Sequence, residues 1–124
     1  MPTEEQLHAA MQAYIDALNS TDVAAITALF APGSTVEDPV GTGVFAASER
    51  LPELVGNLPA GTTFTLDTPI RTSHSTGAAM AFTVQTELNG EPIRIHSIDV
   101  MQFDDDGLIT EMRAYYGPSN LTGR

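Results

Sequence analysis

The sequence contains no cysteine and no lysine, and each absence excludes a kind of chemistry. Without cysteine there is no thiol nucleophile, no disulfide and no thiolate metal site. Without lysine there is no Schiff base to a substrate or to pyridoxal phosphate. Basic residues are scarce as well: 5 arginines stand against 16 acidic residues, for a net charge of -11. Nucleic acids and anionic membranes are bound through clustered basic residues, so an uncharged ligand is easier to accommodate.

Long apolar runs are also missing. No uninterrupted apolar stretch approaches the ~18 residues of a membrane span, and the acidic residues 1–5 do not resemble the start of a signal peptide. We therefore expect a cytoplasmic protein that does not insert into a membrane. A chain of 124 residues, 42% of them hydrophobic, can build one core, and we expect a single domain over residues 1–124.

The first part of the chain is predicted to be helical. Thr3 and Gln6 form a capping-box pattern, which predicts a first helix from about Glu4 to Asn19. Asp22 can cap a second helix over Val23–Ala31, ended by the Pro-Gly pair that follows. The residues expected to face inward are Leu7, Met11, Tyr14, Ile15 and Leu18 in the first helix, and Ile26, Leu29 and Phe30 in the second.

Two further elements are predicted before the chain changes character. Thr35–Val40 is predicted to be a short strand in which Asp38 shares one face with Val36 and Val40, so the Asp38 side chain is expected among apolar side chains. A third helix is expected from Ser48 to about Leu58, although Pro52 is tolerable only in a first turn.

From Thr62 onward, apolar and polar residues alternate, which is typical of strands. Asn89-Gly90 predicts a hairpin, and Asp104–Gly107 turns the chain into a last strand. Helices followed by an antiparallel meander predict an α+β fold, with helices packed on one face of a curved, mainly antiparallel sheet. The inward face is expected to hold Phe64, Leu66 and Ile70; Met80, Phe82, Val84 and Leu88; Ile93, Ile95, Asp99, Met101 and Phe103; and Leu108, Met112, Ala114 and Tyr116.

Asp99 is the most informative polar residue, because strand alternation places its carboxyl group among apolar side chains such as Ile95 and Met101. A lone buried carboxylate is unfavourable, so burial predicts a raised pKa and a neutral carboxyl group that donates a hydrogen bond. Two alternatives remain open: a bulge that turns Asp99 to solvent, or a structural carboxyl group satisfied by its neighbours.

Tyr14 and Asp38 complete a set with Asp99. Tyr14 is either a core tyrosine or a second donor that converges on the same cavity. Asp38 precedes Pro39, which favours extended backbone that aims the carboxylate into a pocket, unless it is simply a turn aspartate. An ionisable carboxylate, a carboxyl group kept neutral and a phenol together indicate an acid–base site. Such a site suits proton abstraction α to a carbonyl.

The three residues lie within stretches that carry a family resemblance: residues 11–19 (MQAYIDALN), 28–31 (ALFA), 35–41 (TVEDPVG), 81–84 (AFTV), 98–103 (IDVMQF) and 112–117 (MRAYYG). Through them the sequence resembles the Δ5-3-ketosteroid isomerases of the NTF2-like superfamily. The resemblance implies a conical α+β fold, usually a homodimer. It also implies isomerisation of β,γ-unsaturated 3-oxosteroids to conjugated enones, with no metal or cofactor.

The resemblance also implies roles for single residues. Tyr14 and Asp99 match the oxyanion-hole donors of the family, and Asp38 matches its proton-shuttling base. Phe30 and Val55 stand where some members of the family carry tyrosines that support the oxyanion-hole tyrosine. Residues 42–61 match the family poorly, so the substrate preference of the family is the property least safely carried over to this chain. Positions that resemble pocket-lining ones are Met80, Phe82, Phe103, Met112 and Tyr116.

Other functions remain possible on the same fold. An epoxide hydrolase needs an arginine between two acids, but Arg94 has the wrong parity to share a face with Asp99. A dehydratase needs a cavity histidine, but His96 also falls on the opposite face. The main alternatives are a noncatalytic protein that binds a sterol or polyketide, and a SnoaL-like cyclase acting on another enolisable ketone. The carrier does not require an ionisable Asp38.

Overall fold

A computed structural model describes residues 1–123, in which three α-helices pack against one seven-stranded sheet. The helices are α1 (Glu4–Asn19), α2 (Val23–Thr27) and α3 (Ala47–Gly56). The strands are β1 (Phe30–Glu37), β2 (Phe45–Ala46), β3 (Thr63–Leu66), β4 (Gly77–Leu88), β5 (Glu91–Phe103), β6 (Ile109–Tyr115) and β7 (Leu121–Gly123). The sheet order is β2-β1-β6-β5-β4-β3, and β7 pairs with β5. Within residues 1–123, no helix is long and apolar enough to cross a membrane.

Helix α1 has the predicted bounds and the predicted cap. The Thr3 hydroxyl accepts from the Gln6 backbone N–H at 3.1 Å, and the Thr3 N–H donates to Gln6 Oε1 at 2.8 Å. At the other end, the Asn19 side chain pairs with the backbone N–H and C=O of Phe64, each at 2.8 Å. The Asn19 pair therefore fixes the C-terminal end of α1 to β3, while the capping box satisfies backbone groups at the N-terminal end of the helix itself.

Helix α2 is shorter than the predicted Val23–Ala31. Asp22 caps it as expected, since its Oδ1 accepts from the Ala25 N–H at 3.0 Å. The prediction was wrong at the other end because Phe30 pairs in parallel with Ile109 and starts β1. Long-range pairing overrides local helix propensity here, and the Pro-Gly pair lies inside β1, where the register shifts.

The strand predicted over Thr35–Val40 ends at Glu37. Its alternation therefore does not reach Val40, which is 36% exposed, while Val36 is fully buried. Asp38 follows the last strand residue directly and is joined to Pro39 by a cis peptide bond. Val40 therefore lies outside β1, and Asp38 does not share one strand face with both valines as predicted.

Helix α3 runs over Ala47–Gly56 rather than Ser48–Leu58, and Pro52 lies in its second turn rather than its first. A proline has no N–H, so the Ser48 carbonyl cannot receive the usual bond from residue 52. Ser48 is exposed, and water can serve that carbonyl instead. The helix therefore accommodates Pro52 in its second turn, where the sequence analysis did not expect a proline.

The hairpin predicted at Asn89-Gly90 is confirmed. Both residues have positive φ (52° and 81°), and Leu88 pairs with Glu91 across a two-residue loop. The predicted alternation also holds for most of β4 and β5, but Leu88, expected inside, is 52% exposed at the hairpin end.

Strand β6 differs from the prediction at its start. A register shift follows the pair Gln102–Glu111, and Phe103 pairs with Ile109. The extra residue places Ile109, which is fully buried, where Leu108 was expected. β6 also pairs in parallel with β1. Apart from this pair the strand pairings are antiparallel, which confirms the predicted mainly antiparallel sheet.

Candidate active site

A cavity of about 710 Å³, counting the part that opens to solvent, lies between the helices and the inner face of the sheet. Helices α1 and α3 supply one wall, and strands β3 to β6 supply the other. Most of the lining is apolar, so the cavity suits a ligand with a large apolar surface.

The structure brings Tyr14, Asp38 and Asp99 to this one cavity from three separate elements. Tyr14 is 3% exposed on the inner face of α1. Asp99 is 2% exposed and lies opposite Met80 on one neighbouring strand and Ala114 on the other. The bulge that could have turned Asp99 to solvent is absent from the paired residues 97–102 of β5.

The parallel pairing of β1 with β6 places Asp38 near Asp99. Glu37 pairs with Arg113, and the Val40 N–H donates to the Ala114 carbonyl at 2.8 Å. Ala114 is itself the β6 partner of Asp99. The residue that follows β1 is therefore held beside the centre of the sheet.

Asp99 has the environment of a neutral carboxyl group. Burial raises its pKa well above the ordinary value, and the nearby negative charge of Asp38 raises it further. The Ser97 hydroxyl, which donates to Asp99 Oδ1 at 3.5 Å, lowers the pKa, but it is the smallest of the three effects. A neutral Asp99 can donate a hydrogen bond into the cavity.

Tyr14 is held as a neutral phenol. Burial raises its pKa well above 10.0, and the charges of Asp99 and Asp38 act in the same direction. Its ring meets the Phe30 ring edge-on, with centroids 6.1 Å apart. The tyrosine is therefore packed by an apolar neighbour and keeps its O–H as a donor.

Asp38 is in a different environment. Burial raises its pKa, but the guanidinium of Arg50 lowers it. Asp99 has no such cation among the causes that shift its pKa. Two carboxyl groups in one cavity, one beside a cation and one without, are suited to opposite protonation states.

Of the five expected pocket-lining residues, Phe82 and Tyr116 line the cavity. Met80, Phe103 and Met112 do not; they are 1%, 4% and 1% exposed within the hydrophobic core. The correction has a simple reason: parity tells which side of a sheet a side chain faces, but not whether it meets a cavity or packed neighbours.

The sequence analysis missed a wall formed by α3 and the segments around it. The wall residues Leu51, Leu54, Val55 and Leu58 recur at helical spacing, which could have revealed them, and Phe64 joins them from β3. Two polar lining residues were also missed, Ser97 and Thr86. The Thr86 hydroxyl lies 2.8 Å from that of Thr62.

Arg94 and His96 lie on the outer face of β5, as parity predicts, and both are exposed. The His96 ring contacts hydroxyl groups there, with Nδ1 3.2 Å from Thr83 Oγ1. Neither residue lines the cavity. Across residues 1–123, no group of three or more His, Asp and Glu side chains is arranged to hold a metal ion.

The neutral state of Asp99 predicts a pH-dependent stability difference. In the unfolded chain the carboxyl group ionises near 3.8, whereas in the folded protein it stays protonated to higher pH. Between these two pKa values the folded state binds more protons, so this group's contribution to stability falls as pH rises. The unfolding free energy of Asp99→Asn relative to wild type should therefore increase with pH, measured by urea denaturation at several pH values. A difference that stays constant with pH would contradict a raised pKa.

Known proteins resemble this chain in sequence and in fold. The profile of the SnoaL-like domain family matches residues 11–112. The chain is 36% identical over 116 residues to a steroid Delta-isomerase of Nocardioides simplex, with 94% of each protein covered. Among solved structures, it matches SalBIII, an epoxide hydrolase/cyclase-like enzyme with a role in pyran ring formation in the polyether salinomycin. That match has a TM-score of 0.87, covers 100% of both chains at 23% identity, and shows a shared fold.

Proposed function

Since the chain belongs to the SnoaL-like domain family and has the NTF2-like fold, we propose that it is an intramolecular isomerase acting on a β,γ-unsaturated 3-oxosteroid. It moves the C=C bond into conjugation with the ketone, from Δ5 to Δ4, through a dienolate. The observation that carries the proposal is the convergence of Tyr14, Asp38 and Asp99 in one largely apolar cavity. The steroid isomerase relative supports the same class of reaction.

In the first step, the Asp38 carboxylate removes a proton from the carbon between the carbonyl and the alkene. The C–H electron pair moves into a new C=C bond, and the carbonyl π electrons move to the oxygen. Tyr14 and neutral Asp99 donate hydrogen bonds to that oxygen as its negative charge develops. The charge is held by hydrogen bonds, so the proposed step needs no metal or cofactor.

In the second step, the Asp38 carboxylic acid returns the proton to the far end of the dienolate, two carbons away. The carbonyl forms again, and the remaining C=C bond is now conjugated with it. Asp38 ends as a carboxylate, ready for the next substrate. Proton removal and return by one group account for every atom and charge in the reaction.

The reaction should depend on pH in a defined direction. The base must be ionised, so kcat/KM rises with pH along an acid limb that lies above 3.8, because burial raises the pKa of Asp38. The donors must be protonated, so activity falls when Asp99 or Tyr14 ionises at higher pH. The steroid substrate has no group that titrates in this range, so both limbs of the pH profile report groups of the enzyme. A rate that is flat across the acid range would contradict a titrating carboxylate base.

The direct test of the function is the appearance of ultraviolet absorbance from a conjugated enone when the protein is mixed with 5-androstene-3,17-dione. Fast, catalytic conjugation above the rate in buffer supports the proposal. Binding of the steroid without conjugation would contradict it, and would favour a carrier or an enzyme for another enolisable ketone. Binding is measured separately by equilibrium dialysis, so the two results are distinguishable.

The proposal includes a cytoplasmic homodimer. The outer face of the sheet supports an interface, because Ile98 and Tyr115 pair across β5 and β6 and are 49% and 44% exposed. Sedimentation equilibrium should give the mass of two chains, and Ile98→Lys should shift the equilibrium toward one. A wild-type protein that sediments as a single chain at micromolar concentration would contradict the dimer.

A further inference from the structure

Arg50, on α3, is joined to the catalytic region through the β1–β2 hairpin. The loop of this hairpin begins with Asp38 and leads to Phe45, which pairs with Val36. The Arg50 Nη2 donates to the Asp38 carbonyl oxygen at 3.5 Å, and its Cζ lies 5.7 Å from the centroid of the Phe45 ring. One guanidinium thus contacts both sides of the loop that carries the base.

The guanidinium is anchored on its own helix. Its Nη1 donates to Glu53 Oε1 at 2.7 Å, one turn further along α3. The side chain is 24% exposed, and its buried Nε has no hydrogen-bond partner within residues 1–123. A buried N–H without a partner is unfavourable, so the Nε position is a cost that the other contacts of the guanidinium offset.

The charged and titratable groups around Asp38 come from every element that meets it. Asp99 faces it from β5, Tyr14 from α1 and Tyr116 from the end of β6. The neighbouring Glu37 has Oε2 bound to the Gly41 N–H at 2.9 Å. None of these groups carries positive charge at neutral pH, and Glu53 on α3 is also acidic.

Arg50 is thus the one cation that acts on Asp38 within the described residues, and it opposes the effect of burial there. An adjacent cation favours the charged form of a carboxyl group. Arg50 also lowers the pKa of Tyr116, another residue that lines the cavity.

We propose that Arg50 is a positioning residue for Asp38: its guanidinium fastens the loop that begins with the base to α3 and places a positive charge beside that loop. The effect of Arg50 on catalysis rests on the proposed function, in which Asp38 is the base. The charge coupling between the two side chains does not depend on that function.

The test compares Arg50→Met, which removes the cation and keeps an unbranched side chain, with Arg50→Lys, which keeps the charge. Arg94→Met is the matched control, because it removes the same charge from the exposed outer face of β5. The Asp38 carboxyl carbon is titrated by NMR in each folded variant, and Asp38→Asn assigns the signal. The acid limb of kcat/KM is then recorded with 5-androstene-3,17-dione.

In Arg50→Met, both the carboxyl titration and the acid limb should move to higher pH, with activity regained on the alkaline side. In Arg50→Lys and Arg94→Met they should stay near wild type. Glu53→Gln leaves the cation without its acidic partner, so the titration should stay or move to lower pH. If Arg50→Met does not fold, a shift to higher pH in Arg50→Lys or Glu53→Gln overturns the proposal on its own.

An Asp38 titration that is unchanged in Arg50→Met also overturns it, as does an equal shift in Arg94→Met. The NMR titration needs no turnover, so it separates this proposal from the proposed function. If no steroid is isomerised but the titration shifts as expected, the coupling stands and the reaction is wrong. If the wild-type protein isomerises the steroid but the Asp38 titration does not shift in Arg50→Met, the proposed reaction stands and the charge coupling is wrong.

Discussion

Asp38→Asn is expected to lower kcat for 5-androstene-3,17-dione by about 10²–10⁴-fold, the range typical of a positioned general base. The amide has nearly the shape of the carboxylate but cannot take the proton from carbon. The lining of the cavity is otherwise unchanged, so the change in KM should be small beside the change in kcat. Initial rates of enone formation measure both quantities.

Glu37→Gln is the matched control for this variant. Glu37 is the adjacent carboxylate, but it does not line the cavity, and its Oε2 bonds to the Gly41 N–H. We expect its catalytic effect to be small. Full activity in Asp38→Asn, or an equal loss in Glu37→Gln, would show that Asp38 is not the base. Urea denaturation of both variants checks that any loss of rate is not a loss of folded protein.

Tyr14→Phe is expected to lower kcat by on the order of 10²-fold or more, as the loss of one oxyanion donor does in other enzymes. The ring still packs against Phe30, and only the hydroxyl that faces the developing negative charge is removed. The interaction strengthens as charge develops on the oxygen, so kcat and kcat/KM should fall together.

Tyr115→Phe provides the matched control, since that phenol is 44% exposed on the outer face of the sheet. Its kcat should match wild type. A rate near wild type in Tyr14→Phe would remove Tyr14 from the site. A large loss in Tyr115→Phe would point instead to an effect through the sheet or through a dimer.

The parts of the fold that the sequence predicts well are held by local interactions. The capping box of α1 and the hairpin at Asn89-Gly90 each depend on a few adjacent residues. The inward position of Asp99 follows from alternation along one uninterrupted strand, and burial of its carboxyl group follows from that position.

The parts that the sequence does not predict depend on distant residues. Nothing near Phe30 indicates that it pairs with Ile109, yet this pairing ends α2 early and starts the strand that delivers Asp38. The role of Arg50 is hidden for the same reason, because it acts across the β1–β2 hairpin. A residue's own neighbours in sequence carry little information about such contacts.

The register of the sheet also bears on regioselectivity. Asp99 lies opposite Met80, whereas Thr86, which lines the same cavity, lies six positions along β4 and opposite Ile93. That separation is about 20 Å of strand, so under the proposed function Tyr14, Asp38 and Asp99 meet only one end of an elongated ligand. For a diketone substrate of the proposed reaction, we expect the carbonyl that enolises to be set by which end of the molecule enters first, and not by which of its C–H bonds is the more acidic.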